Sequence, residues 1–258
     1  MLLFPAMDPL LSVVITVYQG ERFLSECLRS VSTAEYENLQ IVLVNDGSTD
    51  RTSEICERWA REDARVELHN REHEGRNAAL KFAHKQARGE AQCVVDADDT
   101  VYPRAFTRSM QKLSGSHELV YTYRELIDTA GNVISAHDKN KIRYRPDRLL
   151  VDNMIFHLRT FTTELFERAG GVGEFDRCED WDENLRMSEL TEVRCIPQIL
   201  YQYRIHRGQI SRTPKQNQQG AIAVRRAIKR RNRDVDLVVD QRGFHLVNRK
   251  PAAPLELP

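Results

Sequence analysis

The 258-residue chain is 41% hydrophobic and 29% charged, a balance that fits a globular protein and excludes a disordered or membrane-embedded one. Lys plus Arg equals Asp plus Glu at 38 each, so no global positive field points to nucleic acid as the partner, and any basic patch must be local. Five scattered cysteines (Cys27, Cys56, Cys93, Cys178, Cys195), with no Cys-x-x-Cys pair, exclude a disulfide framework and a cysteine zinc site.

In chain order, the β-branched run Leu10-Leu11-Ser12-Val13-Val14-Ile15-Thr16-Val17-Tyr18, between Pro9 and Gly20, predicts a first buried strand. Leu24, Leu28 and Val31 recur at helical spacing and predict a helix over about 21–32. A second strand, Leu39-Gln40-Ile41-Val42-Leu43-Val44, ends in Asn45-Asp46-Gly47-Ser48-Thr49-Asp50, where Ser48, Thr49 or Asp50 can cap a helix carrying Ile55, Cys56 and Trp59. Val66-Glu67-Leu68-His69 is a weaker third strand; Ala79, Leu80, Ala83 and Ala87 mark the next helix, and Cys93-Val94-Val95 is the fourth strand. Strand and helix in alternation predict an α/β, Rossmann-like, mostly parallel sheet with helices on both faces through about residue 115.

The alternation then stops. Leu119 to Tyr123 and Val133 to Ser135, around Gly131-Asn132, predict a hairpin. Helical stretches are expected around Leu149 to Met154 and Phe161 to Ala169, followed by a charged helix near Glu179 to Leu190 and a strand from Val193 to Tyr203. A basic helix between Ala221 and Arg233 precedes two short strands around Arg242-Gly243, and residues 251–258 are expected to be a disordered end. The expected division is 1–115, 116–213 and 214–258. Residues 1–5 are too short and uncharged for a signal peptide, and no run reaches the roughly 20 apolar residues of a spanning helix. A cytoplasmic protein is expected, with peripheral contact at an inner membrane face through the basic helix as the sharper alternative to a solvated face.

Three carboxylates in four positions, Asp96-Ala97-Asp98-Asp99, end the fourth strand, where a parallel sheet collects ligands and where unpaired carboxylates call for a cation. Alternation along an extended strand would put Asp96 and Asp98 on one side, about 6–7 Å apart at Cα. Arg76, beside Gly75 at an expected helix start, suits phosphate. Asp46 reads equally as a helix cap or as an acceptor for a base or ribose.

Six segments in order then resemble the family 2 glycosyltransferases of GT-A fold: the strand ending in Thr16-Val17-Tyr18, Val44-Asn45-Asp46-Gly47-Ser48-Thr49-Asp50, Gly75-Arg76-Asn77-Ala78-Ala79-Leu80, Asp96-Ala97-Asp98-Asp99, Glu179-Asp180-Trp181-Asp182 and Tyr203-Arg204-Ile205-His206. They cover roughly residues 10–213. The resemblance implies one inverting sugar transfer from a nucleotide-sugar donor, UDP- or dTDP-linked or else GDP-linked, to a glycan or lipid-linked acceptor. It places Thr16, Val17, Tyr18 and Asp46 at the base, Arg76 at phosphate, Asp96 and Ala97 at the ribose side, and Mn2+ or Mg2+ on Asp98, with His206 as a second metal or phosphate ligand. Arg204, Arg207 and Arg212 are expected to add positive charge near the diphosphate. Asp180 is the implied base, with Glu179 and Asp182 as competitors and Trp181 expected to shield it from water. Gln19 stands where Asn is common, and Thr16 where many members have Pro. Without spanning helices or a Gln-x-x-Arg-Trp motif, a single transfer is expected rather than a processive synthase. The rivals are a receiver-like regulatory module and a non-catalytic nucleotide-binding domain.

Overall fold

Seven consecutive buried residues make β1 (Leu11–Val17), and eight more make β2 (Leu39–Asp46). A strand covered on both faces must be apolar throughout, as interior strands of a parallel sheet are. The computed structural model describes residues 8–135, 142–207, 214–241 and 243–248; residues 1–5, Arg212 and residues 251–258, for which expectations were stated above, lie outside the described residues.

β1 pairs in parallel with β2 and with β4 (Ala91–Val94), and β2 pairs in parallel with β3 (Val66–Arg71). Helices α1 (Leu24–Ser32), α2 (Thr52–Glu62) and α3 (Arg76–Gln86) make the crossovers. The α1 helix starts three residues later than its periodicity suggests. Arg51 rather than Ser48, Thr49 or Asp50 stands at the N-cap of α2, and Asp50 accepts the amide of the first helical residue, Thr52, at 3.0 Å from one position further out.

Beyond β4 the sheet turns mixed, and its order runs β3-β2-β1-β4-β8-β6-β9-β5. β8 (Arg159–Thr162) is antiparallel to both β4 and β6 (Leu119–Ile127). β6 runs parallel to β9 (Val193–Arg204), and β9 is antiparallel to the two-residue β5 (Thr100–Val101). The expected hairpin is present: β7 (Val133–Ser135) returns on β6, with Gly131 at φ +85° in the turn.

Two helical expectations are corrected. Phe161 lies in β8, and the following helix α6 (Thr163–Arg168) begins only after Thr162, whose hydroxyl accepts the Leu165 amide. Pairing of Phe161 with both Gln92 and Leu119 across the sheet overrides its local helical pattern. The α5 helix (Pro146–Leu149) ends where a helix was expected to begin, so 151–158 is a loop. α4 (Ala105–Met110), α7 (Glu179–Met187), α8 (Pro214–Arg230) and an antiparallel ribbon of β10 (Val235–Asp240) and β11 (Gly243–Asn248) complete the chain.

Strand alternation divides the apolar residues between layers. Val13, Ile15, Ile41 and Leu43 pack on Leu24, Leu28 and Val31 of α1 and on Phe106 of α4. Val14, Val42 and Val44 pack on Ala79, Leu80 and Ala83 of α3. A separate core joins Leu119, Tyr121 and Phe161 to Leu165, Leu185, Val224, Ala227 and Leu237. Each such fully buried large side chain contributes about 1.5–3 kcal/mol. All five thiols are free, and four are buried. Among the described residues no helix is long and apolar enough to cross a membrane.

Candidate active site

Pairing of β5 with β9 brings the turn after β4 against the end of β9, and this meeting builds the site. The acidic segment is not extended. The Asp99 amide donates to the Asp96 carbonyl at 3.0 Å, closing a turn, so the same-side spacing expected for Asp96 and Asp98 gives way to divergent directions. Asp99 is the reason: its fully buried carboxylate accepts the Arg204 amide at 2.8 Å and the Tyr201 hydroxyl at 2.7 Å. Burial, with Asp98 and Asp96 nearby, pushes its pKa well above the usual carboxylate range. Asp99, which carried no sequence-based role, is the pin of the turn.

Asp98 is left at the surface of this turn, and its Oδ2 lies 2.8 Å from His206 Nε2, so the structure brings the two expected metal ligands together. Arg204 is not a surface cation beside them. It is fully buried, donating to the Asp98 carbonyl at 2.8 Å, the Asp128 carbonyl at 3.1 Å and Glu26 at 2.7 Å, and its side chain holds the metal-side turn in shape.

Asp96 turns the other way. Its Oδ1 accepts Arg76 at 2.7 Å, and Oδ2 lies 3.4 Å from His157 Nε2. Burial alone would raise the Asp96 pKa, but Arg76, His157 and Arg159 outweigh it and hold the carboxyl below its ordinary range. Arg76 also donates to Glu179 at 2.8 Å, so its guanidinium bridges the acidic turn and the first turn of α7. The helix-start expectation for Arg76 holds, since Gly75 caps α3 at φ +91°, but both of its bonded edges face carboxylates.

Thr16 and Val17 fall inside β1 rather than past it, both buried; only Tyr18 emerges, half exposed, with its ring stacked on His73 at 3.9 Å between centroids. Asp46, 2% exposed, accepts the amides of Glu74 and Gly75 at 3.1 and 2.9 Å, and His73 sits 2.9 Å from its Oδ2. A phospho-acceptor aspartate of a receiver needs access that this carboxylate lacks. Gly47 follows at φ +70°, where an added Cβ would lie 2.6 Å from the His73 amide nitrogen, so only glycine admits the loop. Gln19 takes φ +54°, a region Asn tolerates better, and its amide oxygen accepts the Thr49 and Asp50 amides at 3.0 and 3.2 Å.

Four acidic residues open α7, and their partners separate them. Glu179 pairs with Arg76, Asp182 with Arg186 at 2.9 Å, and Glu183 with Arg159 at 2.5 Å in a fully buried pair. Asp180 is partly exposed and accepts only an amide, Asn153 Nδ2 at 2.8 Å. It makes no ion pair among the described residues. Trp181 does not shield it as expected: the indole donates to the Leu149 carbonyl at 2.8 Å and packs edge-on against Phe244 in the second core.

Sequence reasoning missed the loop 151–158. Asn153 holds Asp180, Phe156 covers Arg124 with the guanidinium 4.0 Å from its ring centroid, and His157 meets Asp96. Burial pushes the His157 pKa down to about 4, although Asp96 pulls it up. No local pattern marks these residues, because each is defined by what it faces across the sheet. On α8, Arg226 pairs with Glu174 and Arg230 with Glu189; just beyond its end, Arg231 pairs with Glu189 and Arg233 with Asp147.

Residues 12–170 match the family described as Glycosyl transferase family 2. EpsJ of Bacillus subtilis (strain 168), an uncharacterized glycosyltransferase, is 28% identical over 225 residues, 81% of this chain and 64% of EpsJ. A chondroitin synthase of Escherichia coli is 27% identical over 201 residues, 77% of this chain and 29% of the synthase. Among solved structures, S. aureus TarS 1-349 in complex with UDP-GlcNAc matches with a TM-score of 0.71 at 17% identity, over 85% of this chain and 65% of that one. The mannosyltransferase PcManGT from Pyrobaculum calidifontis, in complex with GDP-Man and Mn2+, matches with a TM-score of 0.65 at 19% identity, over 89% and 66%. The chain thus spans less than two thirds of the length of both curated relatives.

Proposed function

The chain belongs to glycosyl transferase family 2 and has the GT-A fold, and we propose that it makes a single inverting transfer of a sugar from a nucleoside-diphosphate donor to an acceptor hydroxyl. The observation that carries this reading is Asp180: of the four acids on α7 it alone has no cation among the described residues, and it lies one residue from the Glu179 that Arg76 ties to Asp96. A base must keep a lone pair accessible, and neutralising the neighbours leaves Asp180 as the available one.

In the proposed reaction, Asp180 takes the proton of the acceptor hydroxyl as its oxygen forms a bond to the anomeric carbon. The bond from that carbon to the diphosphate oxygen breaks on the opposite side, and the nucleoside diphosphate leaves with the electron pair. One base and in-line displacement give inversion. Asn153 orients the Asp180 carboxylate through its amide. Tyr18 and the loop held by Asp46 offer an aromatic face and backbone groups to the base, and Asp96 faces the ribose side.

Asp98 and His206 fit Mn2+ or Mg2+: they present a carboxylate oxygen and an imidazole nitrogen 2.8 Å apart. Among the described residues no group of three or more such ligands is assembled, so the donor diphosphate and water would complete the shell. A cation bound there supplies positive charge to the departing diphosphate. UDP- or dTDP-sugars are favoured donors, GDP-sugars the alternative, and a glycan or lipid-linked hydroxyl the acceptor. In this division residues up to 115 hold the donor, and 116–213 carry acceptor binding and the base. Because the α8 arginines named above are paired within the chain, we assign that helix to packing rather than to lipid.

A thermal-shift panel of UDP-, dTDP- and GDP-sugars with and without Mn2+ tests the reading. A donor at a hundredfold its Kd stabilises by about 2.7 kcal/mol. If no nucleotide moves the melting temperature, the transferase reading fails.

A further inference from the structure

Arg124 on β6 presents a guanidinium whose hydrogen-bonding edge has no partner among the described residues, unlike its neighbours. Arg76 is held by two carboxylates, Arg159 by Glu183, and Arg204 by Glu26 and two carbonyls. Arg124 makes no hydrogen bond or ion pair among the described residues, and its buried Nε is without an acceptor. Two aromatic rings pack against it instead. The guanidinium carbon lies 4.0 Å from the Phe156 ring centroid and 4.4 Å from that of Tyr203. Ring contacts of this kind fix the plane of a guanidinium and leave its fork of N–H donors pointing outward, the geometry that matches carboxylate and phosphate.

The surroundings supply charge but no contact. Asp99 and Asp180 are within electrostatic range of Arg124, yet Asp99 is closed by Arg204 and Tyr201, and Asp180 is held by Asn153. Burial lowers the Arg124 pKa from its ordinary value, the direction expected of a cation whose counter-charge is not in contact. A half-buried charge with no partner is costly to keep, which favours a partner supplied by a ligand. One loop, 151–158, sets both groups: Asn153 positions Asp180, and Phe156 three residues later covers Arg124.

We propose that Arg124, clamped by Phe156 and Tyr203, is the specificity-determining residue of the acceptor subsite, and that it selects a saccharide acceptor carrying an anionic group, carboxylate or phosphate, near the hydroxyl presented to Asp180. This rests on the transferase reading for the role of Asp180. The anion takes a two-pronged hydrogen bond from the guanidinium edge while the hydroxyl donates to Asp180, so charge recognition fixes which hydroxyl is deprotonated.

The test measures binding of three probes to the full chain by titration calorimetry in the presence of UDP and Mn2+: p-nitrophenyl β-glucuronide, glucose 6-phosphate and the neutral p-nitrophenyl β-glucoside. The UDP titration itself serves as the fourth arm. At least one anionic probe is expected to bind roughly ten- to hundredfold tighter than the glucoside, as for hydrogen bonds to a charged group; the glucuronide and phosphate arms distinguish the two anions. Arg124→Gln should remove that preference and Arg124→Lys recover only part of it, with UDP affinity unchanged in both, which also shows that they fold. Equal affinity of wild type for the three sugars, an intact preference in Arg124→Gln, or an equal loss of UDP affinity overturns the proposal. Wild type that binds anionic sugars but no UDP keeps the Arg124 subsite and removes the transferase reading; UDP binding without anion preference removes the Arg124 subsite alone. If neither variant folds, the wild-type preference decides.

Discussion

The two halves of the sheet treat polar groups differently. On the β3-β2-β1-β4 side, the buried Asp46 is closed by the Glu74 and Gly75 amides and Asp50 by those of Thr52 and Glu21, while the less buried Glu67 and Asp63 pair with Arg88 and Arg65. On the β8-β6-β9-β5 side the buried acids Asp182 and Glu183 are closed by guanidinium groups, Arg186 of the same helix and Arg159 of β8, and Arg204 of β9 reaches across to Glu26 of α1. At the meeting of α7 and the β6–β9 pair, a carboxylate and a guanidinium, Asp180 and Arg124, stay outside such pairs among the described residues. A backbone-satisfied half makes a rigid cradle. A half built on ion pairs can leave single charges unpaired because their neighbours are neutralised, and that is the condition proton transfer and anion recognition need.

The sharpest way to break this contrast is Asp180→Asn, which keeps the Asn153 contact within reach but removes the base. Transfer should fall roughly a hundred- to ten-thousand-fold while UDP binding holds; normal turnover would mean that the base is elsewhere. Next in size is Arg159→Met. It leaves Glu183 buried without its partner and should cost about 3–5 kcal/mol in urea denaturation, whereas Arg51→Met at an exposed pair should change little. If both behave alike, the second half does not depend on its ion pairs.

A smaller effect is expected at the metal side. Asp98→Ala should weaken Mn2+-dependent stabilisation by UDP at least about tenfold, with His206→Ala acting in the same direction, and binding without metal should be unaffected. An equal response with and without Mn2+ would remove Asp98 from the metal. The smallest effect concerns His84, packed between Gln92 and Phe166 and pushed down to about 4 by burial. Its folded pKa lies below the unfolded value, so the unfolded chain binds the extra proton. Its contribution is present above about pH 6.5 and is lost as pH falls toward 4. The difference in melting temperature between wild type and His84→Gln should therefore narrow over that window, and a difference independent of pH would contradict the assignment.

The sequence by itself determined the alternating strands and helices of β1 through β4 and where on those and the later elements Asp46, Arg76, Asp98, Asp180 and His206 fall, because apolar periodicity and short motifs are local in the chain. It also foresaw the β6–β7 hairpin and the closing ribbon. Tertiary structure alone decided that Phe161 is strand rather than helix, that the acidic segment turns, and that Asp99 and Arg204 are its pins. It alone placed Trp181 in the core and brought Asn153, Phe156 and His157 to the site. The physical reason is the reach of the interactions. A cap or an amphipathic face is settled within a few residues, whereas the charge state and freedom of Asp180 and Arg124 depend on partners that only the folded sheet brings together.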